Sequence, residues 1–314
     1  MVNREDRHRT ILQQIAHRVM LERGLLPDFS PEVLAEVDRL VPPVLPREGQ
    51  TRDLRDLVWC SIDNDDSLDL DQLTVAEPLP DGSARVLVAV ADVDALVKPR
   101  SATDDHARTN TTSVYTAAEK FPMLPDRLST DLSSLNPDED RLATVVDMVI
   151  SKQGLVHHAD LYPAMVRNHA KLAYSSVGAW FQGNALMPER VAAVPGLAEN
   201  LMLQDRVAQR LKRSRHAMGA LSLQTIEARP LFDGETITRL QVQEKNRATE
   251  LIEDFMIAAN GATVRFLTAR RYPSIRRVVH TPRRWDRIVQ VAAEHKYDLP
   301  EQPDSKALEK FLTA

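Results

Sequence analysis

The sequence predicts an α+β fold in which a group of strands precedes a group of helices. Residues 86–91, Val-Leu-Val-Ala-Val-Ala, form an unbroken apolar run of strand length, and residues 142–150 form a second. From residue 174 onward the apolar positions recur instead at helical spacing over long stretches. Strands and helices that are grouped rather than alternating argue against a parallel βαβ sheet. With 314 residues, 43% of them apolar and 27% charged, the chain suits one large globular domain with something smaller beside it.

Taken in order, residues 1 to about 41 read as helical, because Ile11, Leu12, Ile15, Ala16, Val19 and Met20 fall on one face. Ser30-Pro31-Glu32 then supplies an N-cap with proline at the first helical position, and this second helix ends at Pro42-Pro43. These helices make a small N-terminal domain over residues 1–48, either a helix-turn-helix or a docking bundle. Residues 31–41 carry Arg39 among three acidic side chains, which is poor chemistry for a DNA recognition helix.

Past the prolines, the Asp81-Gly82 turn leads into the strand at 86–91. Residues 142–150 and 154–166 pair as strands joined at Lys152-Gln153-Gly154. Helices follow at roughly 174–182, 196–217 and 247–269, and strands near 226–243 turn at Asp233-Gly234. There is no internal repeat and no low-complexity tract.

Composition removes several functions. Glycine is scarce at 10 residues, and neither GxGxxG nor GxxxxGK[ST] occurs, so Gly-rich phosphate loops are excluded. The single Cys60 excludes an intrachain disulfide and a cysteine zinc cluster, and it fits a reducing cytoplasm. The first residues are too polar for a signal peptide, and no apolar run approaches the ~20 residues that cross a bilayer, so a cytoplasmic protein without a membrane partner is expected. Net charge is −5, against the usual signature of a nucleic-acid binder, but the charge is uneven. Residues 206–216 and 265–287 are rich in Arg and Lys, whereas the region near Asp63 is acidic. A basic rim around an acidic pocket suits an enzyme that cuts a polyanion with metal. Two solvated helix faces give the same pattern.

Five aspartates occupy nine positions from Asp63 to Asp71. Carboxylates packed this closely must take up protons, stay in water or bind a cation. Leu68-Asp69-Leu70-Asp71 alternates, so an extended backbone would point Asp69 and Asp71 to one side and both leucines to the other. A loop folding back from Asp63 would add a third hard oxygen ligand suited to Mg²⁺ or Mn²⁺. An EF-hand is excluded, because its sixth and twelfth positions would be Leu68 and Thr74 instead of Gly and Glu. The Asp-x-Glu of DEDD-type exonucleases occurs only as Asp233-Gly234-Glu235, which reads as a hairpin turn. Spacing alone leaves a metal site and a solvated acidic loop equally open.

The surrounding residues form an ordered series. Ser61-Ile-Asp63 opens it, then Val90-Ala-Asp92-Val93, Thr112-Ser-Val-Tyr115, Pro122-Met-Leu-Pro125, residues 128–137 (Leu-Ser-Thr-Asp-Leu-Ser-Ser-Leu-Asn-Pro) and Asp140-Arg-Leu-Ala143. It continues through Gly219-Ala-Leu221 and Leu251-Ile-Glu-Asp-Phe-Met256 to Arg277-Val-Val-His280. This series resembles the catalytic (RNB) domain of the ribonuclease II / ribonuclease R family, over roughly residues 50–314. The resemblance implies an RNB-type domain over residues 49–314, with β-sheets packed by helices. It further implies a processive 3′→5′ exoribonuclease that uses Mg²⁺, or Mn²⁺ in its place, to release nucleoside 5′-monophosphates from the 3′ end of single-stranded RNA. Asp63, Asp69 and Asp71 then match the metal-binding catalytic aspartates, with Asp71 the most sensitive. Tyr115 matches the tyrosine that stacks on the terminal base, and Glu253 matches a position in the active-site cavity that touches RNA.

The sequence also departs from that family. Its acidic run usually ends in two adjacent aspartates, whereas here the second is Gln72, a neutral metal ligand that adds no charge. Leu223 stands near where some members place a second stacking aromatic. The family continues into a Thr-Ser-Pro-Ile-Arg-Arg-like motif and an S1 barrel. The resembling Tyr272-Pro-Ser-Ile-Arg-Arg277 lies in a different segment, so a C-terminal fragment of the same protein is the expected partner. The alternative function is a non-catalytic RNA-binding scaffold of the same fold.

Overall fold

A computed structural model describes residues 8–42, 51–221, 227–243, 245–276 and 282–314. In chain order the strands are β1 (Arg52–Asp53), β2 (Cys60–Asp63), β3 (Gln72–Pro78), β4 (Ala84–Ala91), β5 (Val114–Tyr115), β6 (Lys120–Phe121), β7 (Asp140–Ile150), β8 (Val156–Arg167), β9 (Ala170–Ala173), β10 (Glu227–Asp233) and β11 (Thr236–Gln243). The helices are α1 (His8–Glu22), α2 (Pro31–Asp38), α3 (Ala102–Asn110), α4 (Tyr174–Phe181), α5 (Glu189–Ala192), α6 (Leu197–Ala217), α7 (Arg247–Ala269), α8 (Trp285–Glu294) and α9 (Ser305–Thr313). This is the α+β class that the grouping of elements predicts.

Seven strands form one sheet in the order β1-β8-β7-β4-β3-β2-β9. Its pairs are antiparallel except β1 with β8 and β2 with β9. The unbroken apolar run of β4 is explained by burial on both faces. Val86 and Val88 join one core with Leu201 and Val207 of α6 and Leu251 and Phe255 of α7. Leu87 and Ala89 join a second core on the opposite face with Trp59, Leu73, Val75 and Val166. Cys60 lies in the first of these cores, where burial pushes its thiol up to about 12.

β7 and β8 form the expected hairpin, in register from Asp140↔Arg167 to Ile150↔Val156. Gly154 turns it at φ +77°, and a Cβ there would lie 2.1 Å from the carbonyl oxygen of Arg210 on α6. Gly154→Ala is therefore expected to cost about 2–3 kcal/mol from the left-handed backbone and the clash together. Guanidinium unfolding checks this, and a midpoint equal to that of wild type would refute it.

The two N-terminal helices dock on the larger body through separate contacts. The Ser30 hydroxyl caps α2 by accepting from Val33 N–H at 3.4 Å. Val37 of α2 then packs with Leu96, Leu124, Leu128 and Leu132. α1 instead meets the β10–β11 turn, where Thr10 Oγ1 donates to Glu235 Oε2 at 2.8 Å. Among the described residues no helix is long and apolar enough to cross a membrane.

Candidate active site

The pairing of β2 with β3 positions the acidic residues. Cys60 stands opposite Thr74, so the end of β2 and the start of β3 run side by side and bring Asp63 near Asp71. The two side chains lie close enough for the charge of Asp63 to act on the Asp71 carboxyl. Gln72, one residue out of step, belongs to the other face. It is 6% exposed, and its Nε2 donates to Ile62 O at 3.3 Å. Expected among the metal ligands, Gln72 instead braces the two strands from behind.

Residues 64–71 form a loop rather than an extended strand. Leu68 is 64% exposed and Leu70 is 2% exposed, so the expected common side for the two leucines is not found. The loop is pinned from below by residues 134–135. Leu70 N–H donates to Ser134 Oγ at 3.0 Å, the Ser134 hydroxyl reaches Leu68 O at 3.0 Å, and Leu135 N–H donates to Leu70 O at 2.8 Å. Asn168, fully buried, ties that segment to the sheet by donating to Ser61 Oγ at 3.0 Å and Leu135 O at 2.9 Å. Arg141 sits beneath, donating to Ser134 O at 3.0 Å and Asp131 O at 3.1 Å, and pairing with Glu139. On the α4 side, Ser175 Oγ donates to Asp65 at 2.9 Å and Lys171 donates to Ser67 O.

Crowding shows in the electrostatics. Burial raises the Asp63 carboxyl above the ordinary carboxylate range and the charge of Asp69 adds to the rise, against hydrogen bonds from Asn64 and Ser67. Asp71 remains accessible to water, yet the surrounding protein raises its carboxyl too, with repulsion from Asp63 and Asp69. The phenol of Tyr174, which opens α4, is raised by burial and by the charges of Asp63 and Asp71, so it stays neutral beside them. Asp69 faces a cation already present in the chain. Lys120 Nζ stands 2.6 Å from its Oδ2.

Among the described residues no three His, Cys, Asp or Glu side chains are grouped closely enough to hold an ion as they stand. The donor chemistry nevertheless fits a hard divalent cation. The charges of Asp63 and Asp69 both press on Asp71, and a divalent ion held by these carboxylates would relieve that repulsion.

Tyr115 is 68% exposed on β5, and its hydroxyl lies 3.5 Å from Asp69 Oδ2. The tyrosine expected to stack on a base thus stands at the edge of the acidic loop, with the Lys120 ammonium 5.3 Å from its ring centre. Glu253 lies on α7 and pairs with Lys245 at 2.8 Å. Leu223 and the stretch 277–280 fall outside the described residues. The basic patch read at 206–216 takes shape on α6, where Arg206, Arg210 and Arg213 line a cavity of about 620 Å³ with Lys245 and Asn246. Asn246 also donates to the carbonyl of Tyr174 at 3.0 Å, so this cavity adjoins the first turn of α4.

Sequence reasoning missed Lys120, Lys171 and Tyr174. Nothing in their local sequence marks them, because they reach the site only through the β5–β6 hairpin and the β9–α4 corner. Ser134 and Arg141 lay within the quoted series without an assigned role.

Comparison with known proteins follows the same outline. The RNB domain matches residues 51–314. The chain is 36% identical over 231 residues to ribonuclease R of Vibrio parahaemolyticus, covering 73% of this chain and 27% of that protein. It therefore spans about a quarter of the relative's length. Its fold is similar to that of Mycoplasma genitalium RNase R in complex with ribose methylated single-stranded RNA, with a TM-score of 0.86 at 23% identity, over 96% of this chain and 48% of that one. It is also similar to yeast Ssd1, a pseudonuclease, with a TM-score of 0.63 at 13% identity, over 86% of this chain and 33% of that one. At these identities the two structures speak for the fold alone.

Proposed function

The chain belongs to the RNB domain family, and on that premise we propose that it is a metal-dependent, processive 3′→5′ exoribonuclease releasing nucleoside 5′-monophosphates. The observation that carries this reading is the crowding of Asp63, Asp69 and Asp71 at one end of the sheet, with an exposed Tyr115 beside Asp69. Asp63, Asp69 and Asp71 would hold Mg²⁺, or Mn²⁺ in its place. Such an ion would supply Lewis-acid polarisation of the phosphoryl group and a water of lowered pKa.

The chain's own residues do the rest. Tyr115 offers a face for the terminal base, a grip that tolerates any sequence and is worth ~1–3 kcal/mol per base. Ser134 and Arg141 fix the loop so that the carboxylates hold one geometry, the condition for positioning a reacting phosphodiester. Tyr174 presents a neutral hydroxyl where an ionised one would add to the repulsion.

Incubation of 5′-labelled RNA with Mg²⁺, with and without EDTA, tests the reading. A ladder shortening from the 3′ end that EDTA abolishes supports it. Binding without shortening supports the second reading, a non-catalytic RNA-binding scaffold, which the neutral Gln72 favours. Tyr115→Ala is expected to change the length of the final product by at least one nucleotide on a sequencing gel. An unchanged end product would remove the stacking role.

A further inference from the structure

We propose that the cavity between α4, α6 and α7 is a phosphate track on which a stretch of single-stranded RNA lies outside the active site, held by Arg206, Arg210 and Arg213. The inference rests on the reading that RNA is the polymer this chain binds. It needs neither metal nor cleavage, so the two can fail separately.

Helix geometry lays out the track. The three arginines fall at i, i+4 and i+7 of α6, in one stripe along the helix. They span ~10 Å of its axis, enough to meet more than one phosphate. Leu201, Gln204, Val207, Ala208 and Leu211 are buried on the same helix, so the arginine stripe is the side left to the cavity.

Charge pairing passes this stripe by. Arg247 of α7 holds both oxygens of Asp205 at 2.7 Å, Lys212 holds Glu250 Oε1 at 2.6 Å, and Lys245 holds Glu253 Oε2 at 2.8 Å. These pairs neutralise the rest of the cavity wall, and the first two tie α6 to α7. Among the described residues Arg206, Arg210 and Arg213 have no carboxylate partner, and Arg210 donates once, to Gly82 O at 3.1 Å. Three uncompensated positive charges thus face one cavity in a chain whose net charge is −5. Like charges at this helical spacing repel unless an anion lies among them.

The lining also selects the anion. Among the described residues that form it there is no aromatic side chain on which a base could stack, so recognition falls to the phosphates and ignores sequence. A volume of about 620 Å³ is far more than a single phosphate group fills. Asn246 in the wall donates to the carbonyl of Tyr174, whose phenol feels the charges of Asp63 and Asp71. Along α4, Gln182 of the cavity lies ~12 Å from Tyr174, a distance that one strand bridges.

Fluorescence anisotropy of labelled oligouridine and oligoadenosine over a salt series, in EDTA so that no strand is cut, tests the proposal. Each phosphate contact on a single strand contributes ~0.7 to the slope of log affinity against log salt. Arg206→Gln/Arg210→Gln/Arg213→Gln is expected to reduce that slope by about 2 and to weaken binding about tenfold or more at low salt, equally for both homopolymers. Arg206→Gln/Arg213→Gln keeps the Arg210 bond to Gly82, should reduce the slope by about 1.4, and replaces the triple variant if circular dichroism shows that one misfolded. Arg23→Gln/Arg39→Gln removes the same charge from the N-terminal helices and should leave the slope within about 0.5 of wild type. A slope that falls by less than about 1 in the cavity variant would overturn the proposal, as would an equal fall in the N-terminal control. Inorganic tripolyphosphate that competes as well as RNA does would make this a site for a free oligoanion and overturn the strand assignment. Wild type that binds no RNA would remove the RNA reading itself, and this inference with it.

Discussion

Asp71→Asn is expected to lower RNA hydrolysis by about 10³-fold or more, the equivalent of ~4 kcal/mol of transition-state stabilisation, while RNA binding persists. The substitution changes one oxygen to an amide and keeps the shape. It removes one of the negative charges that Asp63, Asp69 and Asp71 bring to this end of the sheet. Repulsion with Asp63 and Asp69 falls, so the fold is not expected to suffer. One negative charge fewer near the phosphates should hold RNA affinity steady or tighten it slightly. Single-turnover cleavage and fluorescence anisotropy measured on the same preparation separate the two effects. Turnover within tenfold of wild type would end the assignment of Asp71 to the chemistry.

Arg141→Met should be the most damaging change away from the carboxylates themselves. The guanidinium is buried and gathers Ser134 O, Asp131 O and Asp140 O at 3.0–3.2 Å. Methionine fills much of the volume but donates nothing. Ser134 O keeps a bond from Asn136 N–H at 2.8 Å and Asp131 lies at the surface, so the expected loss is about 1–3 kcal/mol. The loss is also directed, because Ser134 is the residue that accepts from Leu70 N–H and reaches Leu68 O on either side of Asp69. Hydrolysis should therefore fall more steeply than the folded fraction does. Guanidinium unfolding gives the first quantity, and cleavage rates on protein that is still folded give the second. Normal activity in the folded fraction would show that the loop holds its shape without this support.

Elements with strong local signals were legible in the sequence. Ser30-Pro31 starts α2, the Asp233-Gly234 turn sits between β10 and β11, and α6 and α7 fall within a residue of their expected bounds. β3 was not read, because Gln72 and Thr74 look like solvent-facing positions of a weak strand. Both are buried, and Thr74 Oγ1 donates to Gln204 Oε1 at 2.7 Å, a partner 130 residues away. α3 was missed for a related reason. Its buried positions are Thr103, His106 and Asn110, so no apolar stripe announces it. α8 and α9 were not read either, and they bury a small core of their own around Trp285 and Leu308.

The site divides in the same way. The aspartates draw notice by their density, and Tyr115 by its place in the ordered series. Gln72 shares their neighbourhood in sequence but falls on the opposite face, because one step along a strand reverses direction. Glu253 was placed by resemblance, and here it pairs with Lys245. Lys120 came into view only once the hairpin had folded over Asp69.

Cys60 gives the chain a practical property. Its sulfur is sealed in the helix-side core and is the sole thiol of the molecule, with ionisation pushed well out of the neutral range. Maleimides and other alkylating probes need the thiolate, so the folded protein should be silent toward them. A cysteine introduced at an open position such as Leu186, which is 92% exposed, would then be the one handle that a dye can find. A single fluorophore could be attached without first deleting a native residue.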